Sequence, residues 1–210
     1  MAVGKIPVTW KFSKLAHLFD LIGSGTTPPS EQVPDHYGEG IPWVTTGELR
    51  ENTIFETAKQ VTPAAVESLS ALKVYPAGSL VIAMYGATIG RLGILGVSAT
   101  TNQACCVLAR PRGVLTEFVY LALQASQERL LVRAYGGGQP NISQEVVRQF
   151  RLAVPPVAEQ RRIVDHLSGL VADTKALEER AGQAIDLLRE RRQALISAAV
   201  TGQIDVGGAS

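Results

Sequence analysis

Apolar positions along the chain follow two rhythms, and the change falls at Pro155-Pro156. Before it they come in short runs broken by glycine, proline and threonine. After it no proline occurs from Val157 to Thr201, and apolar or small residues recur at alternating intervals of four and three. One series is Leu167, Thr174, Ala181, Leu188, Leu195; the other is Ile163, Leu170, Leu177, Ala184, Arg191. That spacing is the a/d seam of a coiled coil. Ala, Leu, Glu, Gln and Arg dominate the stretch and favour helix. Proline bars helix before it, and Gly202 stands where a C-terminal cap favours glycine. The pattern predicts one helix of about 45 residues, roughly 67 Å long at 1.5 Å per residue. A second partial stripe, Val164, Val171, Ile185, Ile196 and Ala199, implies cover on more than one side. Arg191 interrupts the apolar seam, and Gly169 and Gly182 are expected points of bending.

The short runs predict strands and tight turns. Trp10 to Ile22 reads as a strand entering a Gly/Thr/Pro loop, 23–30, and Ile41 to Val44 as a strand end with a core tryptophan. Thr62 before Pro63 predicts a helix start, with helix to Leu72. Ser79 to Tyr85, then a turn at Gly86 to Gly90, then Arg91 to Val97 predict a hairpin. Another strand is expected over Ala104 to Ala109. Thr116 should cap a helix from Glu117 to Ala134, ended by Gly136 to Gly138. Ser143 should cap a short helix, and Phe150 to Val154 a last strand. The expected fold class is α+β: a globular mixed α/β domain over 1–154, a long coiled-coil helix over 155–206 and a tail over 207–210.

Charge narrows the choice. Residues 1–154 carry thirteen basic against eleven acidic side chains, and 155–210 seven against eight. A free-standing nucleic-acid binder is usually more basic, so phosphate affinity would come from local patches or a partner. No apolar run is long enough to span a membrane. Cys105 and Cys106 are adjacent, which suits neither a structural disulfide nor a metal pair, and a reducing cytoplasm fits them.

Catalytic signatures are missing from the sequence. His17, His36 and His166 have no metal-ligand spacing, and no phosphate-binding lysine follows Gly86 to Gly90. A Cys106–His36 nucleophile pair can be drawn, but cysteines in an apolar strand are usually core. Recognition chemistry is better represented. Four polar loop groups stand out: Thr45, Thr46 and Arg50; Tyr85, Thr88 and Arg91; Thr101, Asn102 and Gln103; Gly138, Gln139 and Asn141. Asn and Gln can pair bidentately with adenine and Arg with guanine, while hydroxyls and glycine amides hold phosphate. The same residue types also build turns.

Val154-Pro-Pro-Val-Ala-Glu-Gln-Arg-Arg-Ile-Val164, Leu188 to Gly202 and Ile204-Asp205-Val206 resemble the helical region of type I restriction–modification specificity subunits. Gly25-Thr-Thr-Pro28, Ile41-Pro-Trp43, Gly86 to Gly90, Asn102-Gln103 and Gly138 to Ser143 resemble pieces of their target-recognition domains. The resemblance implies a non-catalytic subunit that reads one half of a split double-stranded DNA site. It implies docking of methyltransferase subunits and, through them, restriction subunits. S-adenosylmethionine, ATP and Mg belong to those partners, with no cofactor in this chain. Family members usually hold two recognition domains and two helical regions; this sequence has one of each. Met1 and the family-like Ile204 to Val206 favour a half-length subunit over a fragment.

A lone helix with an exposed seam calls for a partner, and a two-fold homodimer would place one recognition domain at each end. The expected target is then palindromic, with an unread spacer of at most about 20 base pairs. Two other readings stay open: an adaptor that docks methyltransferases without reading DNA, and an enzyme using Cys106. Convergence or scatter of the four polar groups separates the first of these from a DNA reader.

Overall fold

The computed structural model describes residues 7–29, 36–132 and 141–204. The chain divides after Val164 into two compact units.

The first unit is built on a five-stranded mixed sheet. Its strands are β2 (Phe19–Gly23), β4 (Asn52–Ile54), β6 (Leu80–Ala83), β7 (Leu92–Leu95) and β9 (Cys105–Pro111), in the order β2-β9-β6-β7-β4. All neighbours are antiparallel except β4 and β7. Both faces of the central strands are covered, which is why they read as continuous apolar runs rather than alternating ones. On one face Leu80, Ile82, Cys106 and Leu108 meet Leu15, Phe118, Leu123, Leu130, Val147 and Phe150 from helices and connections. On the other, Val81, Ala83, Cys105, Val107 and Ala109 meet Val44, Leu49 and Tyr75. The adjacent cysteines therefore point into opposite cores, as the two-residue period of a strand requires.

A three-stranded sheet lies beside it: β3 (Tyr37–Val44) pairs antiparallel with β5 (Gln60–Val61) and parallel with β8 (Thr100–Thr101). Helix α2 (Pro63–Ser68) closes a small core of Trp43, Val61, Ala65 and Leu72. Thr62 caps α2, accepting the Ala65 N–H at 3.2 Å, with Pro63 at the first helical position as expected. The helix stops earlier than Leu72, because Leu69 turns extended and brings Leu72 into the core.

Two other expectations need correction. The predicted strand over 10–22 is interrupted: β1 (Lys11–Lys14) leads into a single helical turn, α1 (Leu15–Leu18), before β2. Leu15 and Leu18 are both buried in one cluster. Three residues apart, they share a face on a helix and would oppose each other on a strand. The predicted helix over 117–134 is two: α3 (Thr116–Gln124) and α4 (Gln127–Leu131), broken at the buried Ser126. Its N-cap is Leu115, whose N–H donates to Gln160 Oε1 at 2.8 Å; Thr116 opens the helix and is buried. The expected stop at Gly136 to Gly138 lies outside the described residues. Helix α5 (Gln144–Gln149) is capped by Ser143 as expected, accepting the Val146 N–H at 3.2 Å. Strand β10 (Arg151–Val154) pairs antiparallel with β1.

Helix α6 runs from Val157 to Val200. Its first turns belong to the globular unit, with Ile163 and Val164 packed on the larger core. Gln160 is fully buried, and its amide donates to Pro155 O at 2.8 Å and Gly113 O at 3.4 Å. In the second unit the helix continues uninterrupted through Gly169 and Gly182. Leu170, Val171, Leu177, Ile185, Leu188, Leu195 and Ile196 are 45% to 64% exposed. The helix ends as its sequence anticipates: Gly202 takes a φ of 72°, and the Gln203 N–H donates to Ala198 O at 2.8 Å. Among the described residues no helix is long and apolar enough to cross a membrane.

Candidate nucleic-acid interface

Strand direction decides where the polar groups lie. β2 and β6 end, and β4, β7 and β9 begin, at the same end of the five-stranded sheet. The loop 24–29 leaves β2 there. Residues 84–91 connect β6 to β7, residues 102–104 enter β9, and residues 45–51 enter β4. Asn141 joins them through a bridge to Tyr85, with the Ile142 N–H donating to Met84 O at 2.7 Å. The Met84 N–H in turn donates to Ala104 O at 2.8 Å. All four groups thus contribute to one end of the sheet; Gly138 and Gln139 of the fourth lie outside the described residues.

The groups divide by what their side chains already hold. Thr101 is fully buried, and its hydroxyl accepts the Gly25 N–H at 3.0 Å. Asn102 Oδ1 accepts the Ala104 N–H at 3.1 Å, while its own N–H donates to Val44 O at 2.9 Å. Thr45 and Glu48 form a capping box around a 3-10 turn, Thr46–Glu48. These contacts shape loops. Arg50, Arg91, Gln103 and Asn141 are exposed, with Thr46, Tyr85 and Thr88 half-buried. Arg50 Nε donates to Gly47 O at 3.3 Å, which holds the stem of an otherwise solvent-facing guanidinium. Gly86 and Gly90 take φ of 83° and 78°, left-handed positions of the turn that carries Thr88, and the Arg91 carbonyl closes it by accepting the Ala83 N–H at 2.9 Å.

The loop 24–29 was not among the expected site residues, yet it is tied down carbonyl by carbonyl. Tyr75 OH donates to Ser24 O at 3.1 Å, Trp43 Nε1 to Thr26 O at 3.1 Å and Tyr37 OH to Pro28 O at 3.1 Å. Between these anchors the exposed Thr27 hydroxyl donates to Gln103 Oε1 at 2.6 Å. A cleft lined by Thr27, Tyr37, Trp43, Thr57 and Lys59 opens alongside. The signal for this loop lies in the Gly25-Thr-Thr-Pro28 stretch, which resembles a piece of a recognition domain and whose glycine and proline prescribe turns.

Catalytic chemistry finds no foothold at the cysteines. Burial pushes the Cys106 thiol up to about 12, against a smaller opposing pull from Arg148, and raises the Cys105 thiol further. A thiol so shifted is protonated, and the thiolate is the nucleophile. His36 sits elsewhere, its Nδ1 3.3 Å from Pro29 O. Among the described residues no cluster of three or more His, Cys, Asp or Glu side chains could hold a metal.

Residues 7–187 match the family described as the type I restriction modification DNA specificity domain. The chain belongs to this family. Membership places it with specificity subunits, the non-catalytic members of type I systems. Similar relatives include the MjaIX specificity subunit of Methanocaldococcus jannaschii, 26% identical over 79% of this chain and 39% of its own. The EcoR124I/EcoR124II specificity subunit of Escherichia coli is 24% identical over 88% of this chain and 46% of its own. The chain thus spans less than half the length of these two relatives. Solved structures share the fold. The HsdS subunit of Thermoanaerobacter tengcongensis superposes with a TM-score of 0.69 at 20% identity, over 97% of this chain and 47% of that one. A chain from work on complex assembly and conformational transition of the type I R-M system gives 0.75 at 19% identity, over 94% and 47%.

Proposed function

We propose that this chain is a DNA sequence-recognition subunit of a type I restriction–modification complex, reading one half of a split site through the loop end of its five-stranded sheet. The observation that carries the reading is the convergence of four separate polar segments on that end. Exposed Arg91, Arg50, Gln103 and Asn141 supply groups able to meet base edges and phosphates. Thr101 and Asn102 hold the loops in place. Family membership supports the same role. The methyltransferase subunits would dock on the chain and supply the chemistry; α6, with its uncovered apolar seam, would pair two copies. The target is then a split palindrome.

The test uses the chain together with its methyltransferase subunits. Methylome sequencing of cells carrying both should show one split palindromic motif. In binding measurements, Arg91→Ala and Gln103→Ala should weaken the cognate site more than random DNA. Equal losses on both DNAs, or a methylome unchanged by deletion of this chain, would refute it. An adaptor without DNA-reading function would give the second result.

A further inference from the structure

Gln103 stands on a rigid base. Its neighbour Asn102 is held on both sides, with its N–H on Val44 O at 2.9 Å and its side-chain oxygen on the Ala104 N–H at 3.1 Å. Gln103 itself is exposed, and its side-chain oxygen accepts the Thr27 hydroxyl at 2.6 Å. The backbone around Thr27 is held in place, because the carbonyls of Ser24, Thr26 and Pro28 are bonded to Tyr75, Trp43 and Tyr37. The Gly25 N–H is bonded to Thr101.

We infer that Thr27 is a specificity-determining positioning residue: it occupies the Gln103 carbonyl oxygen and leaves the amide N–H pair facing outward as a donor. This rests on the DNA-reading role proposed above and narrows it. A free glutamine amide favours adenine, because one oxygen accepts from N6 while one N–H donates to N7. Thr27 takes one of the oxygen's two lone pairs and fixes the amide plane, so the two-point pairing has only the second lone pair, in one set orientation, and is weakened. Guanine presents two acceptors side by side in the major groove, N7 and O6, and suits an amide used as a donor. Gln103 therefore offers its amide by the donor end, and the base pair facing it is a guanine on one strand.

The test compares motifs from Thr27→Val, Thr27→Ser and Gln103→Ala chains, each with its methyltransferase subunits, by methylome sequencing and by binding to base-substituted duplexes. Val keeps the shape and removes the hydroxyl. The base lost in Gln103→Ala should be guanine. In Thr27→Val that one position should shift toward adenine, with discrimination against adenine falling at least about fivefold. Thr27→Ser should restore guanine, and melting temperature should barely change in either variant. If Gln103→Ala relaxes one position but Thr27→Val leaves the motif intact, or Ser fails to rescue, the positioning role is refuted and the DNA-reading role stands. If Gln103→Ala affects no position, the assignment of Gln103 to base reading is itself overturned.

Discussion

Gly25 and Thr101 are in contact across 76 residues of sequence: the glycine N–H donates to the threonine hydroxyl at 3.0 Å, and a Cβ on Gly25 would stand 1.8 Å from the Thr101 carbonyl oxygen. The obstacle is backbone within a strand, which cannot move aside as a side-chain tip can. Gly25→Ala should cost about 3 kcal/mol, near the upper range for overpacking. In a domain of this size that is a fall of roughly 6–12 °C in melting temperature. Gly113, where a Cβ would meet nothing within 4 Å, is the contrasting site. Its alanine variant should fall by much less, reflecting only the φ of 60°.

Gln160 joins the start of α6 to the N-terminus of α3. Removing its amide leaves the Leu115 N–H and the carbonyls of Pro155 and Gly113 without that partner. Gln160→Leu should destabilise by about 2–4 kcal/mol, since unpaired buried polar groups bear their full desolvation cost. Urea unfolding reads it. Trp10→His is a poor control because it empties space; Glu159→Gln, which leaves an acceptor for Trp10 Nε1, should change stability by under about 0.5 kcal/mol.

Alkaline pH should weaken the fold through three buried acids. Cys105 and Cys106 are raised from about 9, the latter to about 12, and Tyr75 from about 10 to about 12, in each case first by burial. Their protons leave the unfolded chain first, so the unfolded state binds fewer protons and stability falls as pH rises. The contribution is fully present below about pH 9 and is lost above it, at up to about 1.4 kcal/mol per pH unit per group. Urea midpoints between pH 8 and 11 should fall progressively more steeply, and Cys106→Ala should flatten the slope. At pH 8 the native protein should not react with a thiol reagent, while unfolded protein should show both cysteines.

Pairing through α6 makes a prediction about mass. Leu170, Leu177 and Leu188 are 49%, 63% and 64% exposed, an unfavourable arrangement for a seam in water. Light scattering at micromolar concentration should give a dimer. Leu170→Glu with Leu177→Glu should give a monomer whose globular unit unfolds at nearly the same temperature. A wild-type monomer would contradict the pairing.

The elements that local chemistry determines were readable. Thr62-Pro63 and Ser143 announce helix starts, the absence of proline after Pro156 announces α6, and Gly202 its end. The breaks at Leu15 and Ser126 were not, because they serve distant packing: Leu15 and Leu18 must enter one core, and the buried Ser126 starts a second helix whose Leu130 enters the same core. The convergence of the polar groups was equally hidden. It depends on β4 running parallel to β7 and on β9 lying between β2 and β6, pairings between segments far apart in sequence. Thr101 shows the remaining difficulty. A threonine in a polar stretch reads as exposed, yet partners from Gly25 and β3 bury it completely.

The sheet and its loop end draw on almost separate sets of residues. Leu80, Ile82, Val107 and Leu108 carry the core, and none of them reaches solvent at the tips. Arg50, Arg91, Gln103 and Asn141 lie outside both core clusters. Exchanging them leaves folding free energy nearly untouched, since exposed substitutions typically fall within about 0.5 kcal/mol. On the DNA-reading role proposed above, the target can therefore change at these tips without passing through an unfolded intermediate, provided Gly25, Thr101 and Asn102 keep the frame.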